Sequence, residues 1–207
     1  MKVINLKTWE RKDFYNCFKK DAMPMYGITT KFDVTNVYNF AKQNGISFYF
    51  ALGHIFYSAL KDVEEFNIRV VKRKLIVMEN KVLSFTCIKP NETMFKFVDV
   101  LYDADIVKFC ENARKIEQNQ TGLFGNLKNP KYGVFFSCTP WFEFSAMTNP
   151  RSKSKNDFIP RIVWDKIKTE NGKKFLNVSI EVNHRIIDGL LISKLIANTK
   201  QLIASLK

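Results

Sequence analysis

Two residues near the C-terminus have the types and the spacing that acid-base chemistry requires. They are His184 and Asp188, in the segment "VNHRIIDG". An imidazole gains and loses a proton near neutral pH, so His184 is a candidate general base. A single histidine on the apolar side of an element is more often a buried structural residue, and the spacing by itself leaves both interpretations open.

Other catalytic or metal-binding arrangements find little support in the sequence. His54, the second histidine, lies in an apolar segment with no acid at a useful spacing and is expected to be structural. Two distant histidines and scattered cysteines do not have the spacing of zinc ligands, so no metal is expected. There is no Gly-x-Ser-x-Gly elbow. The cysteines are expected to be reduced, cytosolic and mostly buried: Cys17, Cys87, Cys110 and Cys138.

The elements that flank the motif decide how its side chains point. Before it, apolar and polar residues alternate over 176–183, which predicts a strand and places His184 on its apolar face. After it, leucines and isoleucines recur at helical spacing over 191–206. Asp188 is therefore predicted to be the N-cap of a C-terminal helix. A junction of this kind can hold a side chain rigidly, whether for chemistry or for packing.

The rest of the chain alternates between helical and strand-like patterns. Thr8 is a candidate N-cap for the first helix. We predict α+β architecture, a two-layer sandwich of a mixed β-sheet with helices packed on it, in a single domain over residues 1–207. The predicted helices cover residues 8–20, 34–45, 46–63 and 103–120; the predicted strands cover 26–34, 133–147 and 175–182, with a pair of strands within 68–89.

Composition restricts the partners and the location. The 207 residues carry a formal net charge of +13, which favours an anionic partner. The basic residues are spread among acids and aromatics without a nucleic-acid-binding motif, so a solvated basic surface is favoured over nucleic-acid binding. The longest apolar stretch is interrupted by Gly53 and His54 and predicts a core helix, so no membrane partner is expected. The N-terminus lacks the apolar run of a secretory signal, and a cytoplasmic location is expected.

The segment "NHRIIDG" resembles the His-x-x-x-Asp-Gly signature shared by chloramphenicol acetyltransferases and the catalytic domains of dihydrolipoamide acyltransferases. Further segments, "WERKDF", "ITTKFDV", "ISFYFALGHIF" and "GLFGN" leading to "FFSCTPWFEF", resemble chloramphenicol acetyltransferase segments in the same order. The total length also matches. The His-Arg pair is more typical of the dihydrolipoamide enzymes, but these do not account for "WERKDF" or "TPWFEF". The resemblance to chloramphenicol acetyltransferases therefore covers nearly the whole chain.

This resemblance implies a homotrimer that moves an acetyl group from acetyl-CoA to a small hydroxyl-bearing acceptor, with each active site at a subunit interface. His184 matches the catalytic general base of the family. Asp188 and Arg11 match an ion pair that supports the site without exchanging protons. If that pair is buried, removing one member is expected to cost about 3 to 5 kcal/mol.

The resemblance also implies binding residues for both substrates. Lys166 aligns with a lysine near CoA, where its charge would suit a phosphate, although a solvated surface lysine is equally compatible with so basic a segment. Phe18 and Tyr26 match aromatic residues of the acceptor pocket, although a purely structural role in the core is almost equally compatible with their type.

The chain departs from the family pattern on the acceptor side. Ala146 stands where a serine hydroxyl normally steadies the tetrahedral oxyanion, and Val163 stands where a threonine normally binds an ordered water. Phe18 replaces a tyrosine whose hydroxyl touches the antibiotic. Asn183 replaces the first histidine of a usual pair, a change away from the proton-transfer position.

Three functional hypotheses follow. The first is an acetyl-CoA-dependent O-acetyltransferase that acts on chloramphenicol or on a different hydroxyl acceptor. The second is an acyltransferase-like fold with weakened catalysis that binds a small ligand or a partner. The third is a basic nucleic-acid-binding protein.

Overall fold

The structure is a computed structural model that describes residues 2–79, 81–125, 133–151 and 154–206. Its helices are α1 (Lys12–Cys17), α2 (Thr35–Gln43), α3 (Phe48–Leu60), α4 (Ile106–Asn119) and α5 (Gly189–Ser205). Its strands are β1 (Lys2–Val3), β2 (Met25–Asp33), β3 (Ile68–Val71), β4 (Lys74–Val77), β5 (Val82–Cys87), β6 (Lys96–Leu101), β7 (Val134–Cys138), β8 (Arg161–Trp164), β9 (Lys168–Glu170) and β10 (Lys173–Asn183). No helix within these residues combines the length and apolarity needed to cross a bilayer.

The main sheet has seven strands in the order β2-β10-β8-β7-β5-β6, and β9 extends β10 at one end. The pairs β5–β7 and β7–β8 are parallel, whereas the other pairs are antiparallel. A second, three-stranded sheet has the order β1-β4-β3. The predicted α+β class with a mixed sheet and packed helices is confirmed.

The hydrophobic core lies between the main sheet and the helices. The most buried of these, α3, places Gly53 against the ring of Phe85 on β5. A Cβ atom at residue 53 would lie 2.4 Å from a carbon of that ring, so only glycine permits this approach of helix and sheet. The alternating apolar residues of β10 face the same core and are almost fully buried: Leu176, Val178, Ile180 and Val182.

The polar residues of β10 are also mostly buried, because a chain segment covers that face of the sheet. We call this segment the strap, residues 144–151 and 154–159. Four polar side chains of β10 each bind a backbone group of the strap. Asn177 donates to the carbonyl of Phe144 (3.0 Å), Ser179 to that of Met147 (2.7 Å) and Asn183 to that of Asp157 (3.1 Å), and Glu181 accepts from the N–H of Asn149 (2.7 Å).

Buried ion pairs fix the middle of the strap. Arg151 Nε lies 2.8 Å from the carboxylate of Glu181, and Arg161 lies 2.9 Å from Asp157. The side chains of Arg151 and Glu181 are 4% and 8% exposed, so their charges must be compensated inside the protein, and Asp157 contributes to this at 3.6 Å from Arg151. The alternation along β10 therefore encodes two buried faces, one apolar and one hydrogen-bonded.

Two sequence predictions were wrong in their bounds. The first helix starts at Lys12, and Thr8 belongs to a turn in which the carbonyl of Asn5 accepts from Thr8 and Trp9. The strand predicted over 133–147 ends at Cys138, because Thr139 makes the last ladder bond and Pro140 has no N–H to continue it.

The segment 68–89 forms three strands where the pattern predicted two. The hairpin between β3 and β4 turns at Lys72 and Arg73, whose φ angles are 48° and 64°. Such angles normally favour Gly or Asn, so the turn has no signal in the sequence.

Candidate active site

The N-terminus of α5 forms one side of the site. Asp188 is its N-cap, as predicted, and its Oδ1 accepts from the backbone N–H of Leu191 at 3.0 Å. The strand β10 ends at Asn183, so a tight turn over residues 184–187 separates the strand from the helix cap. His184 is the first residue of this turn.

Hydrogen bonds fix both the backbone and the ring of His184. Its N–H donates to the carbonyl of Pro24 at 2.7 Å, and its Nδ1 lies 2.9 Å from the carbonyl oxygen of Ile187. A carbonyl can only accept, so Nδ1 carries the proton and Nε2 of the neutral ring keeps its lone pair. The residue is half-buried at the end of β10. It is therefore held in the tautomer that a base acting through Nε2 requires.

Aromatic rings surround this imidazole. Tyr26 stacks on it at 4.4 Å and 26°, Phe18 lies at 4.4 Å, and Phe14 meets it edge-on at 5.4 Å. The structure thus brings both predicted pocket aromatics to the ring of His184 itself. Phe14 was not predicted, although its spacing of four residues from Phe18 places both on one face of a helical segment.

An ion pair joins α1 to the start of α5. Arg11 Nη2 lies 2.7 Å from Asp188 Oδ2, with side-chain exposures of 18% and 25%, and the guanidinium carbon of Arg11 lies 4.9 Å from the centroid of the Phe14 ring. Burial alone would raise the pKa of the Asp188 carboxyl, but hydrogen bonds from Arg11 and from backbone N–H groups lower it below 3.8. Arg11 and Asp188 are the partners that were predicted, but their ion pair is only partly buried. The cost of about 3 to 5 kcal/mol expected for removing one member of a buried pair is therefore too large here.

The remaining predicted site residues lie elsewhere on the sheet. Val163, in β8, is 1% exposed and pairs with Ser179, five positions before His184 on β10. Five residues of strand span about 17 Å. Ala146 lies exposed in the strap beside the carbonyl that Ser179 binds, and Lys166 is an exposed residue just after β8. Within one chain, these three residues and the imidazole therefore form separate groups.

His54 behaves as the structural residue that was expected. It is 5% exposed in α3, its Nε2 donates to the carbonyl of Asp103 at 2.9 Å, and burial lowers its pKa. No three His, Cys, Asp or Glu side chains of the described ranges come together in a group that could hold a metal. A cleft of about 300 Å³ lies between α3 and α5, and one of about 680 Å³ lies between α4 and the connection from α2 to α3; none of the predicted site residues lines them.

Comparisons with known proteins agree over the length of the chain. The family model described as chloramphenicol acetyltransferase matches residues 1–201. A chloramphenicol acetyltransferase of Vibrio anguillarum is 25% identical, with 100% of this chain and 95% of the relative covered. Chloramphenicol acetyltransferase 2 of Escherichia coli is 26% identical over 96% of this chain and 94% of its own length. These matches do not favour the nucleic-acid hypothesis or the weakened-catalysis hypothesis.

Solved structures show the same fold. A chloramphenicol acetyltransferase superposes with a TM-score of 0.87 at 19% identity, covering 98% of this chain and 99% of that one. The dihydrolipoamide acetyltransferase of Azotobacter vinelandii superposes with a TM-score of 0.68 at 14% identity, covering 99% and 90%. The segment "GLFGN" is described only to Gly125, since Asn126 lies outside the described residues.

Proposed function

The chain belongs to the chloramphenicol acetyltransferase family, and on that premise we propose that it is an O-acetyltransferase. Acetyl-CoA is the co-substrate. The acceptor is chloramphenicol or a related small molecule with a hydroxyl group, and the location is the cytoplasm.

One observation carries this proposal: the hydrogen bond from His184 Nδ1 to the carbonyl of Ile187. It leaves Nε2 free to remove the proton of an acceptor hydroxyl as that oxygen attacks the thioester carbon. The same nitrogen then returns the proton to the sulfur of CoA when the thioester bond breaks. Because the ring starts and ends neutral, no other group has to store the proton between the two steps.

The neighbouring residues hold this imidazole in place. Tyr26 and Phe18 pack against its ring and restrict its rotation. Arg11 and Asp188 tie α1 to the cap of α5 and so fix the turn that begins at His184. We assign this pair a structural role, because a carboxylate bound to a guanidinium and to a backbone N–H is a poor proton acceptor.

The separation between His184 and the second group of site residues supports an active site shared between subunits. We propose that His184 of one subunit faces the exposed Ala146 of another in a homotrimer, with Val163 buried beneath that surface of its own chain. Large apolar side chains near both groups are exposed in the single chain, with Trp141 67% and Leu190 76% accessible. Burial of exposed apolar side chains such as these would favour an interface between subunits.

We propose that Lys166 contributes a positive charge to the binding of CoA. It is exposed, and no carboxylate of the described residues lies within 4 Å of its ammonium group, so the charge is available for a phosphate. Ala146 and Val163 leave the acceptor side with fewer hydrogen-bond partners than the family pattern. A highly hydroxylated acceptor should therefore bind more weakly here, because buried hydroxyls without partners cost free energy.

The experiment that tests the proposal follows the release of CoA thiol from acetyl-CoA, with and without chloramphenicol and a set of small alcohols. Acceptor-dependent release is expected, and His184→Ala should lower kcat by at least about a hundredfold. The matched control is His54→Gln, which replaces the other histidine and should leave turnover per folded enzyme unchanged. Absence of release with every acceptor from a folded protein would favour the weakened-catalysis hypothesis.

A further inference from the structure

We propose that Arg185 is a positioning residue for His184, one that fixes the imidazole by joining the turn to both α1 and the strap. The ion pair of Arg11 with Asp188 links only two of these elements. Arg185 was not among the residues predicted from the sequence. Its role rests on the proposed function of His184, but its contacts can be tested separately.

The guanidinium of Arg185 is buried at a junction of three chain segments. The residue is 3% exposed, and its Nη1 donates to the carbonyl of Lys155 and to Oδ1 of Asn156, each at 3.1 Å. Its central carbon lies 4.2 Å from the centroid of the Tyr15 ring in α1 and 5.5 Å from that of Phe158. No carboxylate of the described residues lies within 4 Å of this guanidinium, and its burial removes hydration, which lowers its pKa and makes each remaining contact important.

The contact with Tyr15 is the counterpart of the Arg11 ion pair. Arg11 reaches from α1 to Asp188 at the end of the turn, whereas Arg185 reaches from the start of the turn back to α1. Two arginine side chains therefore connect α1 with the turn, one extending from each of them. Phe18, which directly follows α1, lies against the imidazole, so a shift of α1 would change the packing of the ring.

The residues immediately before and after His184 in the sequence both bind the strap. Asn183 donates to the carbonyls of Lys155 and Asp157, and its own side-chain oxygen accepts from the backbone N–H of Arg185. The carbonyl of Lys155 is thus shared by the residues immediately before and after the histidine. A backbone held at both neighbours leaves the imidazole little freedom to translate.

Arginine suits this place better than lysine. Its planar group can stack on Tyr15 and bind two oxygens at once, whereas an ammonium is a compact point charge with a large hydration cost. We therefore expect Arg185→Lys to fold but to position His184 poorly. Misplacement of a reacting group by about 1 Å can cost about a hundredfold in rate, so we expect kcat to fall by at least tenfold, with the KM for acetyl-CoA changed less than about twofold.

The experiment compares Arg185→Lys with Arg151→Lys and Tyr15→Leu. Arg151 is also an arginine with a buried side chain, and it ties the strap to Glu181 of β10, but it contacts neither α1 nor the turn at His184 in the described structure. The readouts are kcat, KM and the ring resonances of histidine in NMR spectra. The chain has two histidines, so buried His54 serves as an internal reference.

A positioning role predicts that Arg185→Lys and Tyr15→Leu both move the His184 resonances, while Arg151→Lys lowers stability without moving them. Unchanged His184 resonances and unchanged kcat in Arg185→Lys would overturn the inference. It would also be overturned if Arg151→Lys changed the His184 resonances and kcat as much as Arg185→Lys does. If no acceptor is acetylated by the wild type, the proposed function fails. The resonance comparison still decides whether Arg185 positions the ring.

Discussion

The ion pair between Arg11 and Asp188 permits a quantitative test, because its burial is intermediate. Exposed pairs contribute about 0.2–1 kcal/mol, and breaking a fully buried pair costs about 3–5 kcal/mol. The side-chain exposures of 18% and 25%, with an N–O distance of 2.7 Å, place this pair between those limits. We expect Arg11→Ala to lower the free energy of unfolding by about 2 kcal/mol, or the Tm by about 4–8 °C in a domain of this size.

Two variants of Asp188 separate the charge from the helix cap. Asp188→Asn keeps an oxygen that can accept from the N–H of Leu191 but removes the negative charge. It should destabilise about as much as Arg11→Ala, and the double variant should be less destabilised than the sum, since the same interaction is removed twice. Asp188→Ala also removes the cap and should cost about 1 kcal/mol more.

The sign of the pH dependence follows from the lowered pKa of Asp188. A carboxyl whose pKa is depressed by folding stabilises the native state above its ordinary value of 3.8, and this contribution is lost as pH falls through the folded pKa. The difference between wild type and Arg11→Ala should therefore be constant from neutral pH to about pH 5 and shrink below about pH 4. Urea unfolding at several pH values measures this difference directly.

A matched control is the exposed pair of Lys2 with Glu64, whose side chains are 68% and 44% accessible. Lys2→Ala should change the free energy of unfolding by less than about 1 kcal/mol. If Arg11→Ala at pH 7 is no more destabilising than Lys2→Ala, the pair does not fix α1 to α5, and the structural role assigned to it is refuted.

Three further predictions concern the acceptor side, CoA binding and the core. Ala146→Ser should raise kcat by about tenfold or more, because one oxyanion donor can contribute about a hundredfold or more and the new hydroxyl should recover part of that effect. An unchanged kcat in steady-state assays would show that another group already donates to the oxyanion. Lys166→Gln should raise the KM for acetyl-CoA by about twofold to fivefold at low salt, an effect that titration with salt should abolish if the contact is electrostatic. Gly53→Ala should cost about 1–3 kcal/mol, because the added methyl collides with Phe85, whereas the control Gly27→Ala, which has room for a Cβ, should not lower the Tm by that mechanism.

The helix cap and the inner face of β10 were predictable because each depends on local pattern. Alternation over 176–183 and the change to helical spacing after Asp188 require no knowledge of distant residues. The strap was not predictable in this way. The sequence "PWFEFSAM" has the composition of a strand, but its backbone is bound by side chains of β10 that are distant in sequence, such as Ser179. Composition cannot show whether a segment is held by the backbone hydrogen bonds of a sheet or by hydrogen bonds from side chains of another strand.

The same limit explains why Arg185 was overlooked. By type it is a charged residue in a turn, which normally indicates exposure to solvent. It becomes a positioning candidate only when Tyr15, Phe158 and the carbonyl of Lys155 are seen to surround it. Arg11, in contrast, could be assigned from its place in "WERKDF", because the family resemblance supplied a partner more than a hundred residues away.

The departures from the family pattern affect one part of the proposed site and leave the other intact. The proposed base and its supports come from α1, β2 and the turn after β10, where Tyr26, Arg11 and Asp188 match their expected neighbours. Ala146 and Val163 belong to the strap and to β8. Because separate elements carry the two proposed functions, a change in the acceptor-side residues need not disturb the tautomer or packing of His184. Substitutions of Ala146 and Val163 should therefore alter the choice of acceptor more than the pH dependence of the reaction.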